Sequence, residues 1–487
     1  MTPDFDNTYA ELPDRFYSPF EARPVSDPET LRVNEPLADR LGFDPEWLES
    51  PAGAAFVAGN QFPDGAEPIA LAYAGHQFGN WVPQLGDGRA VLVGEVVDEE
   101  GERFDVQLKG SGRTAYSRRG DGRAPLGPVI REYLVSEAMV RLGVPTTRAL
   151  AAASTGEQVR REGLQPGGVL VRVAWSHIRV GTFEYFAARE DVEALEILVD
   201  YALDRHFAHL DDRSPMGLLR EVARRQAALV AQWQLLGFIH GVMNTDNMLL
   251  SGQTIDYGPC AFMNTYDPGT VYSSIDRRGR YAYGNQPPIA QWNLERLADS
   301  LIPLADDQEA AAAQAEAILE DFPEVFRGAW RSGMAHKLGL TDPGAEDWPL
   351  FEDLLELMFD QEVDYTLTFR RLTELAAPES TDRPVCPDFP LPDAFNDWLD
   401  RWQERLETDG APAEERFETM RRANPVFIPR NHLVQRAVDQ ATREDDLSAF
   451  HEMMDVLEEP YDYDPELEEF ARPPEPAEEI QATFCGT

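Results

Sequence analysis

The chain has 487 residues, 43% of them hydrophobic, with 9 Trp, 25 Phe and 15 Tyr. That is enough for a large core in two or three domains, or in one elaborated one. Its 87 acidic residues against 43 basic give a net charge of -44, which argues against the basic footprint of general nucleic-acid binding.

The basic residues include only two lysines, Lys109 and Lys337. An acidic, lysine-poor surface is a solvation trait and suits a halophilic protein, because salt screens the charge. Cys260, Cys386 and Cys485 show neither metal-ligand spacing nor a disulfide framework. No apolar run approaches the ~20 residues of a membrane span, and the acidic N-terminus is unlike a signal peptide. A cytoplasmic protein with no membrane partner is the expectation.

In chain order, residues 1–75 are rich in Pro, Asp and aromatic residues and read as an ordered extension packed on the main body. Gln84-Leu85-Gly86-Asp87-Gly88-Arg89 is a glycine-punctuated turn. Residues 90–97 follow as a strand, residues 98–101 turn the chain, and residues 104–109 alternate strictly. Phe104, Val106 and Leu108 share one face; Asp105, Gln107 and Lys109 share the other. Glycines in such a turn let backbone approach a phosphate, although an ordinary hairpin has the same pattern. Lys109 stands out in a chain that almost excludes lysine. Arginine has the wrong shape for a compact point-charge contact beneath a tight strand; a solvated strand lysine is the plain alternative.

Residues 110–124 form a loop rich in Gly and Arg. Its Arg113, Arg118, Arg119 and Arg123 run against the global charge, either as an anion pocket or as neutralisers of acidic neighbours. Pro128 is expected at the first position of a helix over 129–142 that Gly143 stops. Ile130, Leu134, Ala138 and Leu142 make its apolar ridge. Glu132 and Glu137 lie off the ridge, and Glu132 is preferred as a partner for Lys109. Residues 167–175 read as a strand with Val169, Val171 and Val173 on one face and Arg172 on the other. Arg179 follows in a loop entering a helix. Both arginines are candidates to neutralise part of a triphosphate. Residues 192–236 are mostly helical.

Residues 237–258 place His240, Asp246, Asn247 and Asp256 in a polar loop. Residues 248–250 and 254–255 are expected as a short hairpin turning at Ser251-Gly252. An amide before such a hairpin and a carboxylate after it are how kinase-like enzymes hold magnesium and phosphate. Asn247 lies seven residues after His240, as that pattern requires. Two residues after His240, where the proton acceptor belongs, stands Val242. The only new carboxylate nearby is Asp246. Either catalysis has been lost, or different chemistry runs on a relocated carboxylate. Residues 260–288 read as an activation or substrate loop. Residues 307–375 and 390–455 read as acidic amphipathic helices joined by a Pro-rich stretch, 378–392. An acidic tail follows, with a C-terminal cysteine, Cys485, that could be redox-active.

Taken together, several strings carry a resemblance. They are Gln84 to Arg89, Gln107-Leu108-Lys109-Gly110-Ser111-Gly112-Arg113-Thr114, Arg119-Gly120-Asp121-Gly122-Arg123-Ala124, Arg131-Glu132-Tyr133, His240 to Met248 and Ile255-Asp256-Tyr257-Gly258-Pro259. The chain resembles the selenoprotein O family, protein adenylyltransferases on a kinase-like fold, over almost its whole length. The resemblance implies an α+β, protein-kinase-like two-lobed fold. An N-terminal extension would span 1–75, an N-lobe 76–190, a C-lobe 191–345, and a helical region with an acidic tail 346–487.

It further implies that ATP binds turned round relative to a kinase. AMP would then pass to Ser, Thr or Tyr hydroxyls of partner proteins. Lys109 would contact phosphates, oriented by Glu132. Gly86, Gly88, Arg89, Asp121, Gly122, Arg172, Arg179 and Asp256 would line the nucleotide site. Asn247 and Asp256 would hold Mg2+ or Mn2+, and Asp246 would accept the proton. Many members end in a selenocysteine or cysteine, the place of Cys485, and some could pair it with a second cysteine after the Asp-Tyr-Gly motif. Here the nearest is Cys260, so such pairing is not expected. An ordinary phosphotransferase and a non-catalytic nucleotide-binding pseudokinase stand as the rival readings.

Overall fold

The computed structural model describes residues 2–161, 163–378 and 389–484. Its strands in chain order are β1 (Tyr17–Pro19), β2 (Glu29–Val33), β3 (Ile69–Leu71), β4 (Gly75–Gln77), β5 (Asn80–Val82), β6 (Ala90–Val97), β7 (Arg103–Lys109), β8 (Ala124–Pro125), β9 (Arg148–Arg160), β10 (Leu164–Ala174) and the short pair β11 (Phe238–Ile239) and β12 (Ala261–Phe262). One antiparallel sheet runs β1-β3-β6-β7-β10-β9-β2, with β8 paired to β10. Residues before 75 therefore supply both edges of this sheet, while β4 and β5 form a separate ribbon.

Strand alternation sorts β7 as its sequence requires. Phe104, Val106 and Leu108 join Val169, Val171 and Val173 of β10 in one core. Three short helices, α1 (Glu35–Arg40), α2 (Pro45–Glu49) and α3 (Pro51–Val57), cover that face through Leu37, Leu48 and Phe56. The other face of β7 carries Asp105, Gln107 and Lys109, all buried. Polar side chains sealed inside need partners; Gln107 and Lys109 find them in the site described below, and Asp105 in Arg205 at 2.6 Å and the His177 N–H at 2.8 Å.

Helix α4 (Leu126–Arg141) packs across the sheet. It begins earlier than Pro128 suggests, with Pro125 at its cap. Pro128 falls within the first turn, whose N–H groups have no helical partner in any case. The ridge Ile130, Leu134, Ala138 and Leu142 enters the main core.

The remaining helices are α5 (Val180–Ala187), α6 (Val192–His206), α7 (Pro215–Leu236), α8 (Gln286–Leu301), α9 (Gln308–Leu338), α10 (Trp348–Asp360), α11 (Tyr365–Leu375), α12 (Asn396–Asp409), α13 (Ala413–Ala423), α14 (Asn431–Arg443), α15 (Ser448–Val456) and the short α16 (Glu468–Ala471). Ser214 caps α7 by accepting from Gly217 N at 3.1 Å, and Gly237 ends it at φ 69°. Helices α14 and α15 pack against α4, where the Phe450 ring meets Tyr133 edge-on at 5.4 Å.

One expectation needs correction. Residues 248–255 do not pair as a hairpin. Leu250 N donates to Ile178 O at 3.0 Å and Val180 N to Met248 O at 2.9 Å. Thr254 N donates to Pro145 O at 2.9 Å, and Thr147 N to Thr254 O at 2.9 Å. Each half bonds to a different, distant segment.

The acidic tail docks on the body of the chain. Thr483 is buried, and its N–H donates to Tyr272 O at 2.7 Å. The central part of the Pro-rich connection, with Cys386, and the expected redox-active Cys485 both lie outside the described residues. Among the described residues no helix is long and apolar enough to cross a membrane.

Candidate functional site

A cavity of about 610 Å3 opens between the sheet and the helices, a size usual for a small-molecule site. Its lining includes Gly86, Gly88, Arg89, Lys109, Asp121, Gly122, Arg172, Arg179, Asp246, Asn247 and Asp256. Of the residues expected to act, Glu132 alone is not in the lining; it stands directly behind Lys109. The walls hold seven lysines and arginines against four carboxylates. That balance is the reverse of the whole chain, so the cleft is built for an anion.

Asp256 is the hub. Lys109 Nζ donates to its Oδ1 at 2.6 Å and Arg172 to the same oxygen at 2.7 Å. Arg179 donates to Oδ2 at 3.2 Å. Burial alone would raise this carboxyl, but Lys109, Arg172 and Arg179 together hold it well below the usual carboxylate range. Its backbone has φ 62°, a left-handed conformation that Asp tolerates better than most residues and that clusters at functional sites.

The cations are themselves oriented. Glu132 on α4 accepts from Lys109 at 2.6 Å and from Arg172 at 3.0 Å. Glu137 instead binds Arg148 at 2.8 Å and takes no part. Gln107 accepts from Arg172 at 2.6 Å through its Oε1 and donates to Asp87 at 3.2 Å through its Nε2. The Arg179 guanidinium lies over the Tyr73 ring at 4.5 Å and donates to the backbone oxygen of Asp246 at 2.7 Å.

The loop bearing Asp246 and Asn247 is fixed from beneath by His240. Its Nε2 sits 2.8 Å from Ile255 O, and its ring stacks on Trp233. Val242 lines the cavity, so no carboxylate occupies the position that a kinase gives its base. Asp246 is buried, and burial pushes its carboxyl up to about 6, against the opposing pull of Arg179. Gln77 donates to its Oδ2 at 3.2 Å, while Oδ1 has no partner among the described residues. A Cβ on Gly75 would stand 2.8 Å from that Oδ1, so glycine leaves room for the carboxylate. The amide nitrogen of Asn247 is engaged with Val242 O at 2.9 Å, which leaves its oxygen for a ligand.

The glycine turn is tight for a stated reason. Gly86 has φ 66°, and a Cβ there would meet the Tyr116 ring at 2.3 Å. A Cβ on Gly122 would fall 2.0 Å from Gly112 O. Asp121 lies at the outer rim, paired with Arg161 at 3.0 and 3.1 Å. Asp87, Gln107, Tyr73, Gln77 and Arg161 were not singled out from sequence. Two of them carried a signal there: Asp87 as a carboxylate between two turn glycines, and Gln107 on the polar strand face it shares with Lys109.

A deep cleft with a lysine–glutamate pair, a cation-bound aspartate and an arginine-rich mouth defines an α+β protein that handles a polyanion such as a nucleotide. Comparison with known proteins narrows this. The model of the family described as Protein adenylyltransferase SelO matches residues 1–458. A Rhodopseudomonas palustris (strain BisB18) protein called Protein nucleotidyltransferase YdiU is 55% identical over 99% of both chains. A Rhizobium meliloti (strain 1021) protein of the same name is 54% identical over the same shares. The chain belongs to the SelO family of protein adenylyltransferases.

Proposed function

We propose that this protein transfers AMP from ATP to Ser, Thr or Tyr hydroxyls of other proteins, on a kinase-like two-lobed fold. In this reading residues 1–75 are the extension, 76–190 the N-lobe, 191–345 the C-lobe, and 346–487 the helical region and tail. The division is supported by the origin of the side chains. Gly86 comes from the turn before β6, Lys109 from β7 and Glu132 from α4, whereas Asp246, Asn247 and Asp256 come from the helical side.

The observation that carries the proposal is the setting of Asp246. A buried carboxylate with a raised pKa and an unpartnered oxygen faces a cation-lined cleft, and Val242 stands where a kinase base would be. Raised to about 6, Asp246 is ionised at neutral pH and a stronger base than an ordinary carboxylate. It takes the proton of the acceptor hydroxyl as that oxygen bonds to the α-phosphorus of ATP. The bond from that phosphorus to the bridging oxygen breaks, and pyrophosphate leaves.

Lys109, oriented by Glu132, and the guanidinium groups of Arg172 and Arg179 offset the phosphate charge. Gly86, Gly88, Arg89, Asp121 and Gly122 line the remainder of the nucleotide. Asn247 and Asp256 offer hard oxygen donors of the kind Mg2+ or Mn2+ takes alongside phosphate oxygens; the metal would add positive charge at the reacting phosphorus.

ATP labelled at the α- or the γ-phosphate tests the reading. Label transferred to protein from the α-position alone is the expected result. Transfer from the γ-position alone would make the protein a phosphotransferase. Binding without transfer of either label would make it a non-catalytic pseudokinase.

A further inference from the structure

Beside the mouth of the cleft lies a second cavity, of about 460 Å3, lined by Phe78, Arg278, Arg280, Asn285, Pro288 and Ile289. Phe78 lines both cavities, so the two meet at its ring. Its backbone has φ 52°, a conformation that is a genuine outlier for a bulky side chain. Its N–H is held by Asn244 Oδ1 at 3.0 Å and by Tyr281 OH at 3.1 Å. Phe78 is thus pinned between the loop that bears Asp246 and the segment that bears the arginines. A polypeptide crossing Phe78 toward Asp246 would pass over this second cavity.

Its charge is the unusual feature. Arg277 and Arg278 are exposed, and their guanidinium groups make no ion pair or hydrogen bond among the described residues. Three of the arginines that line the cleft are held in ion pairs: Arg161 with Asp121, Arg172 with Glu132, Arg179 with Asp256. The Arg280 guanidinium lies over the Trp292 ring at 4.7 Å, which pre-orders a cation at the cavity wall. A chain with 87 acidic residues had ample means to neutralise these arginines. Ile275, 54% exposed, adds an apolar contact at the rim of the main cleft.

We propose that Arg277, Arg278 and Arg280 form the acceptor-docking surface of the transferase, and that it takes an acidic polypeptide segment flanking the target hydroxyl. The inference rests on the protein-modifying function proposed above and specifies its substrate class. The overall charge of -44 repels an acidic partner at long range. That repulsion is screened beyond about 8–10 Å at ordinary ionic strength, so the local arginines decide at contact. Phe78, Ile289 and Ile275 supply apolar area that salt does not weaken.

The test uses the full-length protein and two defined probes, a glutamate–tyrosine copolymer and a lysine–tyrosine copolymer. Binding is read by fluorescence anisotropy and transfer by α-labelled ATP. The acidic copolymer should bind through the arginines and be labelled; the basic one, drawn to the acidic surface of the chain, should bind independently of them. R277E/R278E, checked for unchanged thermal unfolding, should weaken acidic-copolymer binding by about tenfold or more while the KM for ATP stays the same. R278A alone should give a smaller loss. Undiminished acidic-copolymer binding by R277E/R278E, or an equal loss of basic-copolymer binding in that variant, overturns the docking surface. Binding that follows the prediction with no α-label transferred would instead count against adenylyl transfer and leave the surface standing.

Discussion

The Lys109 ammonium lies 2.6 Å from the Asp256 carboxylate and at the same distance from Glu132, joining β7, α4 and the Asp-Tyr-Gly segment at one nitrogen. Arg172 already bridges the same two acids from β10, so the space left at position 109 suits a compact ammonium, and a second, bulkier planar guanidinium would crowd it. Lys109→Arg should therefore lose activity by about 10²-fold or more, a scale typical for removal of one positioned charge. Near-normal turnover in this variant would remove Lys109 from the phosphate site.

Asp256 has a depressed pKa held by three cations. Its contribution to stability is present above the ordinary carboxylate pKa near ~4 and is lost as pH falls below it. Asp256→Asn leaves buried cations without their counter-charge, which costs about 3–5 kcal/mol. Thermal unfolding at neutral pH should fall clearly, and the gap from the parent should narrow in acid. A gap that does not change with pH would mean the cations are neutralised elsewhere.

Asp246 titrates in the opposite sense, raised to about 6. It acts only when ionised, so kcat/KM should fall with unit slope as pH drops below about 6. Gln77 donates to this carboxylate and stabilises its charged form. Gln77→Leu should therefore move the acidic limb to higher pH, whereas a purely structural role would lower activity without moving it. Asp246→Asn should be inactive at every pH.

Gly86→Ala should fail twice. The residue holds φ 66°, and the added methyl meets Tyr116. A non-glycine residue at such a φ costs roughly 1–2 kcal/mol, and displacement of Tyr116 opens the wall of the nucleotide cavity. ATP affinity should drop more than the melting temperature does. Unchanged affinity would place the nucleotide away from this turn.

The C-terminal helices should matter to the chemistry at a distance. Phe450 is fully buried against Tyr133, the neighbour of Glu132. Phe450→Ala should cost about 3–5 kcal/mol and lower kcat by loosening α4. A drop in stability with kcat untouched would make these helices a structural cover only.

Where local pattern carried the information, the sequence could be read. Alternation put Lys109 opposite Leu108, and helical spacing set Glu132 apart from the Ile130 ridge. The spacing from His240 exposed Val242 as a departure. What could not be read depends on partners far away in the chain. Residues 248–255 have the look of a hairpin, but their hydrogen bonds go to Pro145, Thr147, Ile178 and Val180. Strands β1, β2 and β3 join the main sheet through long-range pairing that residues 1–75 do not advertise. Gln77 ends a three-residue strand, and Tyr73 and Arg161 are single residues in irregular segments. Only the folded chain brings them to Asp246, Arg179 and Asp121.

The central claim is that Asp246 faces the α-phosphorus of the nucleotide. A crystal structure of the complex with Mg2+ and α,β-methylene ATP tests it directly. The account predicts the α-phosphorus as the phosphorus nearest the Asp246 carboxylate, with the terminal phosphate toward the arginine-lined part of the cavity. A terminal phosphate nearest Asp246 would contradict it and return the protein to phosphoryl transfer.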